Sequence, residues 1–358
     1  MKQTEIKPLR ICAMLPTWVG DACMATPMLR ALRQAYPQAE IVAVGRSVIC
    51  DLLNGAWGDD RPWFDRWIVY DKRSWGKRSR VRLAGVLRRE QVDLAVLLAN
   101  SWWTAAVAKL SGAKRIVGYD RDARGWLLTD RLAVPRQGKD ALPISAVDYY
   151  LGIANWLGCV VTDRQMQLAV SQEYRSQADA LWDQIGFQQQ LPTLTINNNA
   201  ATDAGRLWPS SHLRILAERA ARELGWQVLL HCGPSERNAT NQLAAEIAHP
   251  RVASMGIVED LPIGLSKAVL ERSSCVLSTD SGARHMAVAM NRRVVTLFGT
   301  INPAWTTTYN HPEVRLPTHW KDDGSSHVRG SGEAMSAILP EQVFCVLADL
   351  AKSTAVAA

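Results

Sequence analysis

The stretch Ser274 to Pro303, SCVLSTDSGARHMAVAMNRRVVTLFGTINP, constrains the fold of this chain more than any other. A short apolar run, Cys275 to Leu277, gives way to polar Ser278-Thr279-Asp280-Ser281-Gly282. A helix-like segment follows to Asn291, and then the β-branched run Val294 to Phe298, closed by Gly299. Strand, polar loop, helix, strand is the order of a parallel α/β unit. Such a loop aims the N–H groups of a helix N-terminus at one point, where unpaired donors and the helix dipole together stabilise an anion. The stretch therefore predicts a phosphate-facing crevice at the carboxyl end of a parallel sheet.

The same pattern opens the chain. Leu9 to Leu15 predicts a buried strand, Pro16 to Asp21 a loop, and Thr26-Pro27 a helix start with Thr26 as cap and proline at the first helical position. A strand at Glu40 to Gly45 completes a βαβ unit whose right-handed crossover makes its strands parallel. Apolar runs at Trp67 to Tyr70, Leu94 to Ala99 and Ile116 to Gly118 extend the sheet. The pattern pauses at Gln188 to Pro192 and resumes with a strand at Thr193 to Ile196, a helix at Ser211 to Leu224, a strand at Val228 to Cys232, and helices at Asn238 to Ala248 and Leu261 to Arg272. After Pro303 it decays into what reads as a long polar loop, followed by a final helix at Pro340 to Lys352. The expectation is two parallel-sheet domains, residues 1–190 and 191–340, with a C-terminal helix and tail at 341–358. Two such domains in series place a ligand between loops from the carboxyl ends of their strands, with Asp21 opposite Asp280.

The 358 residues, 47% hydrophobic and 21% charged, support a sizeable core in an ordinary globular protein. Seven scattered cysteines without a C-x-x-C pair predict buried thiols rather than disulfides or a metal knuckle. The apolar part of the N-terminus is broken by Pro16 and Asp21, so neither a signal sequence nor a membrane span is expected there, and no later run reaches spanning length. Net charge +7 favours anionic partners. Much of it is concentrated around Trp75, in Lys72, Arg73, Lys77, Arg78, Arg80, Arg82, Arg88 and Arg89. Nearby tryptophans, Trp102, Trp103 and Trp126 among them, suit a boundary that is apolar on one side and wet on the other. The plainer reading of the charge run is a solvated helix face.

Asp21 follows Gly20 on the first strand-to-helix loop, placed either to cap the next helix or to accept a proton from a hydroxyl. Asp280 is a capping carboxylate or a ligand contact. Ser281 and Gly282 can offer backbone N–H groups to a phosphate, and His285, in the first turn of the same helix, is either a packed or surface histidine, the commoner role of a lone one, or a donor to a leaving phosphate oxygen. Arg206 and Arg284 are further cations, with exposed side chains the plain expectation for each. Phosphate-loop, dinucleotide-fingerprint, zincin and nucleophile-elbow motifs are all missing from the sequence.

These residues resemble a known family, the ADP-heptose:lipopolysaccharide heptosyltransferases of glycosyltransferase family 9, and are most similar to the branch that adds the second inner-core heptose. The resemblance runs through LPTWVGDACMATPMLRALRQAYP, VDLAVLLANSWWTAAVAKLSGAKRIVGYDRDARGWLLTDRL, GRLWP, the Ser274 to Pro303 stretch and EAMSAILPEQV. It implies a GT-B fold: α/β, two Rossmann-like doubly wound parallel-sheet domains facing across a cleft, the first binding the acceptor and the second the nucleotide sugar. It implies inverting transfer of heptose from ADP-heptose to a hydroxyl of a lipopolysaccharide inner-core acceptor, by a cytoplasmic enzyme peripherally associated with the inner face of the cytoplasmic membrane. Asp21 matches the catalytic base. Arg206, Thr279, Asp280, Ser281, Gly282 and His285 match the donor and phosphate site, with Arg206 where the family usually has lysine. Lys77, Arg78 and Arg80 are assigned to the acceptor or an anionic membrane surface. No cofactor, metal or nucleic acid is implied. The chain departs from the family pattern at Asn197-Asn198-Asn199, where a P-G-A turn is usual, at Arg284, where Met is common, and at Arg293, where Pro is usual. It also lacks a Cys-rich segment near the C-terminus. These departures leave open another nucleotide-sugar donor, or a non-catalytic protein of the same fold.

Overall fold

The computed structural model describes residues 9–55, 62–71, 75–76, 78–137, 140–142, 144–199, 207–299, 302–317 and 335–355. Lys77 and Arg206 lie outside the described residues. The chain divides into two units, Met1–Ala169 and Val170–Ala358.

In the first unit the order is β1 (Arg10–Met14), α1 (Val19–Met24), α2 (Thr26–Ala35), β2 (Glu40–Gly45), α3 (Ser47–Leu53), β3 (Arg66–Val69), α4 (Ser79–Arg89), β4 (Leu94–Leu97), α5 (Trp102–Leu110), β5 (Arg115–Asp120), β6 (Asp130–Ala133), the short pair β7 (Arg136–Gln137) and β8 (Asp140–Ala141), and α6 (Ala146–Trp156). Among the described residues the main sheet is six-stranded and parallel, ordered β3-β2-β1-β4-β5-β6. Ile11, Val42, Val96 and Val117 on the central strands are fully buried, as a parallel sheet covered on both faces requires. The order reverses at β1, so the carboxyl ends of β1 and β4 flank a switch point where ligands of such sheets bind.

The second unit repeats the plan: α7 (Gln172–Gln184), β9 (Thr193–Asn197), α8 (Ser210–Glu223), β10 (Gln227–His231), α9 (Arg237–Ile247), β11 (Val252–Ser254), α10 (Ile263–Arg272), β12 (Cys275–Thr279), α11 (Gly282–Ala289), β13 (Arg293–Phe298), β14 (Glu313–Pro317) and α12 (Pro340–Ala355). Its parallel sheet is ordered β11-β10-β9-β12-β13-β14, with the switch point between β9 and β12. Trp208 is buried at the heart of this unit's core with Leu216, Val343 and Leu347, and its indole N–H donates to the Ile338 carbonyl at 2.9 Å.

Four sequence expectations differ from this arrangement. The division falls at 169/170, not at the Gln188 to Pro192 pause, because α7 packs on α10. Arg175 makes two 2.8 Å bonds to Glu271. A Cβ on Gly264 would come within 2.0 Å of the Tyr174 ring, so only glycine allows that approach. The sheet does not end at β13: Glu313–Pro317, inside the expected long loop, forms its edge strand. Five residues bounded by prolines carry too weak a period to stand out in the sequence. Finally, Asp21 is not on a loop. A one-and-a-half-turn helix precedes α2, with Asp21 in its first turn. Thr26 is not a cap but the first residue of α2, and its hydroxyl donates to the Cys23 carbonyl at 2.7 Å. Of the seven cysteines, six are buried and Cys345 is exposed, all as free thiols.

Candidate active site

The polar loop of the second unit sits at the carboxyl edge of β12, at the switch point. Ser281 occupies the N-cap of α11, yet its hydroxyl makes no capping bond. It accepts instead from Asn197 Nδ2 at 2.9 Å and lies 3.1 Å from the Ser278 hydroxyl. The first N–H groups of α11, at Gly282 to Arg284, have no acceptor within the helix and no side-chain cap. Four features then converge: uncapped donors, a helix dipole, a glycine at the first position and partial exposure of Ser281 and Gly282. Such an arrangement favours negative charge at the helix start.

Asn197, at the end of β9, is held in turn. Its Oδ1 lies 2.9 Å from His231 Nδ1, and its Nδ2 also reaches Ser278 Oγ at 3.2 Å. His231 is buried, and burial pushes its imidazole down to about 4, so the ring is neutral. Because Asn197 Nδ2 serves the two serines, Oδ1 is left to accept, and His231 carries its proton on Nδ1. Asn198 closes the next turn: it accepts from Trp208 N at 2.8 Å and donates to Trp208 O at 2.9 Å. The two bonds tie Asn198 to Trp208. Thr279 donates to the Asn199 carbonyl at 3.2 Å from the neighbouring strand end. Asn197 and Asn198 thus tie the end of β9 to Ser278, Ser281 and Trp208.

Asp280 and Arg284 are not arranged as the sequence reading expects. Arg284 is fully buried rather than exposed. Its guanidinium meets Asp280 Oδ1 at 2.8 Å, Glu313 Oε1 at 2.6 Å, Glu313 Oε2 at 3.0 Å and the Thr306 carbonyl at 3.0 Å. Burial works against its charge, but Glu313 and Asp280 outweigh it and hold Arg284 above its usual value. Glu313 also accepts from the Thr296 and Thr308 hydroxyls, at 2.5 Å and 2.6 Å. Burial alone would raise the Glu313 carboxyl, but Arg284 beside it brings it down to about 2. Asp280 is therefore an anchored anion that ties the loop to the sheet edge. His285 Nε2 lies 3.5 Å from the same Asp280 oxygen, and His285 Nδ1 is buried with no hydrogen-bond partner in the structure. Asp280, Ser281, Gly282 and His285 are brought together as expected. His231 and Glu313 were missed, and Asn197 was singled out only as a departure from the family's turn; the one signal for Asn197 and His231 was a polar residue ending each of two strands.

In the first unit, Asp21 is half-buried, and Tyr150 of α6 donates to its Oδ1 at 3.2 Å. In the same unit a cavity of about 610 Å³ opens at the carboxyl ends of β1 to β4, within the range of small-ligand pockets. Thr17, Arg46, Asp71, Arg80, Ser101 and Trp103 contribute to its wall. Arg80 is accordingly a wall of this cavity rather than part of a solvated face, its guanidinium lying 3.9 Å over the Trp103 ring. Arg78 stands at the N-cap of α4. Trp103 and Trp126 are exposed, and both pack on Trp102. Behind the cavity, fully buried Arg124 fixes the 99–101 turn, donating to the Ala99 carbonyl at 2.6 Å and to Asn100 Oδ1 at 3.0 Å.

Comparison with known proteins follows from these two sheets. Residues 80–323 match the family described as glycosyltransferase family 9 (heptosyltransferase). Lipopolysaccharide heptosyltransferase 2 of Escherichia coli K12 is 26% identical over 356 residues, covering 94% of this chain and 96% of that protein. Among solved structures, a family 9 glycosyl transferase from Veillonella parvula superposes with a TM-score of 0.79 at 23% identity, covering 96% of this chain and 97% of that one. The E. coli ADP-heptose lps heptosyltransferase II superposes with a TM-score of 0.76 at 24% identity, covering 96% and 99%. These likenesses give the same two-sheet GT-B architecture.

Proposed function

The chain belongs to glycosyltransferase family 9, the heptosyltransferases, and from that premise we propose that it moves a heptose from ADP-heptose to a hydroxyl of a lipopolysaccharide inner-core acceptor, with inversion at the anomeric carbon. The observation that carries the reading is the uncapped N-terminus of α11, kept open because Asn197 draws the Ser281 hydroxyl away. A diphosphate leaving group gains negative charge as its bond to the sugar breaks, and fixed N–H dipoles stabilise that charge without reorganisation. His285 supplies a further donor to that oxygen, and Asp280, locked to Arg284, holds the loop in shape. Arg206 is proposed as a second contact to the diphosphate. Asp21 takes the acceptor proton as its oxygen attacks.

The acceptor is proposed to enter the cavity of the first unit, where Arg46 and Arg80 meet its anionic groups and Trp103 offers a ring face. Exposed Trp103 and Trp126, with Arg78, Arg80 and Lys77, would face an anionic lipid surface at the inner face of the cytoplasmic membrane. Among the described residues no helix is long and apolar enough to cross a membrane. The test is product mass spectrometry with a panel of nucleotide sugars and a lipid-linked core acceptor. A product heavier by one heptose, formed from ADP-heptose alone, is expected. A product carrying a different sugar refutes the donor, and the absence of any product with every donor refutes the enzymatic reading.

A further inference from the structure

We propose that Tyr150 is a positioning residue for Asp21, holding the carboxylate in the orientation and charge state that proton removal from the acceptor needs. The inference rests on the reading of Asp21 as the base. Tyr150 belongs to α6, whose placement is fixed independently of Asp21. Tyr119 donates to the Tyr149 carbonyl at 2.7 Å, and the two rings stack at 3.8 Å. Tyr149 itself donates to Asn100 Oδ1 at 3.0 Å. A Cβ on Gly152 would come within 2.2 Å of the Tyr119 hydroxyl, so the helix lies as close to β5 as glycine allows. From this fixed helix the Tyr150 ring, 3% exposed, projects its hydroxyl to within 3.2 Å of Asp21 Oδ1.

The direction of the bond is unambiguous. Burial first, and then the neighbouring Asp21 charge, keep the Tyr150 phenol protonated far beyond neutral pH, so it donates and the carboxylate accepts. A donor to a carboxylate favours its ionised form, the form able to take a proton, and fixes one oxygen in space. The other titratable groups on elements packed against α1 are few. On α6 they are Asp148 and Tyr149, and Arg121 lies close enough to influence Tyr150. On α3 they are Asp51 and buried Cys50. On α2 they are Arg30 and Arg33, paired with Asp163 and Asp65. From this set, Tyr150 donates to Asp21 Oδ1.

The experiment compares Tyr150→Phe with the unaltered enzyme over pH, using ADP-heptose and a lipid-linked core acceptor, with Asp21→Asn alongside. Phenylalanine fills the same buried space, so a packing role predicts no change in the profile. The positioning role predicts that kcat falls roughly tenfold or more while the donor KM stays within about twofold. It also predicts that the acid limb of kcat/KM moves to higher pH, because the carboxylate has lost a donor. Replacing Tyr150 with 3-fluorotyrosine, a stronger donor, moves that limb the other way and covers the case of a poorly folding phenylalanine variant. If Asp21→Asn is inactive but neither Tyr150 variant moves the limb, the positioning role is refuted and the base assignment stands. If Asp21→Asn keeps full turnover, both fall.

Discussion

Replacing Arg284 with methionine removes the centre of a buried charge cluster. Arg284 is 0% exposed and binds two carboxylates, one of them 1% exposed. Taking away one partner of a buried ion pair costs about 3–5 kcal/mol. A second route gives a similar figure. Glu313 ionises at about 2 in the folded chain against an ordinary 4.5, a difference worth about 3 kcal/mol at neutral pH. Because the folded value is lowered, that stabilisation is complete above pH 4.5 and is lost as the pH falls toward 2. In Arg284→Met the burial that raises the Glu313 carboxyl is no longer opposed by its main partner, although Thr296, Thr308 and Arg315 still donate to it. The penalty is therefore largest at pH 8, where both carboxylates are charged, and shrinks toward pH 5. At about 2–4 °C per kcal/mol for a unit of this size, the melting transition of the second unit falls by roughly 10 °C at pH 8. Calorimetry at the two pH values measures it, and adding Glu313→Gln recovers part of the loss. A fall below about 2 °C, or a penalty identical at pH 8 and pH 5, refutes the argument that Arg284 exists to neutralise buried carboxylates.

Two further outcomes are expected. Burial lowers His231 to about 4 from an ordinary 6.5, so the stability it contributes as a neutral ring is complete above pH 6.5 and is lost as the pH falls toward 4. The stability difference between the unaltered chain and His231→Gln, from urea unfolding, should change by about 3 kcal/mol between pH 7 and pH 4; a constant difference shows that the ring is not held neutral by its site. Trp103→Ala should raise the acceptor KM roughly tenfold through loss of the ring face and its cation contact, with the donor KM unchanged, while the Arg78→Glu, Arg80→Glu pair should also weaken flotation with anionic vesicles. Acceptor kinetics and flotation indistinguishable from the parent would remove the Trp103 wall and the arginines from both roles.

What the sequence made legible was what short periods encode. β12, the polar loop, α11 and β13 lie within a residue or two of the pattern in the Ser274 to Pro303 stretch, because a buried parallel strand and an amphipathic helix each leave a local signature. The clustering of Asp280, Ser281, Gly282 and His285 came with it, since all four belong to one turn. The partners that set the roles of the site residues did not, because each comes from a distant strand or helix. Glu313 stands 29 positions from Arg284 and reaches it only because β14 pairs with β13. Asn197 meets Ser281 across 84 positions because β9 and β12 are neighbours at the switch point. Tyr150 meets Asp21 across 129 positions because α6 packs on α1. In each case the nearby sequence supplies a group able to do chemistry, and a remote residue decides which chemistry it does. Arg284 becomes the neutralising centre of two carboxylates once Glu313 arrives beside it. Ser281, the natural cap, is drawn off by Asn197, and that single diversion is what leaves the helix donors without a side-chain cap.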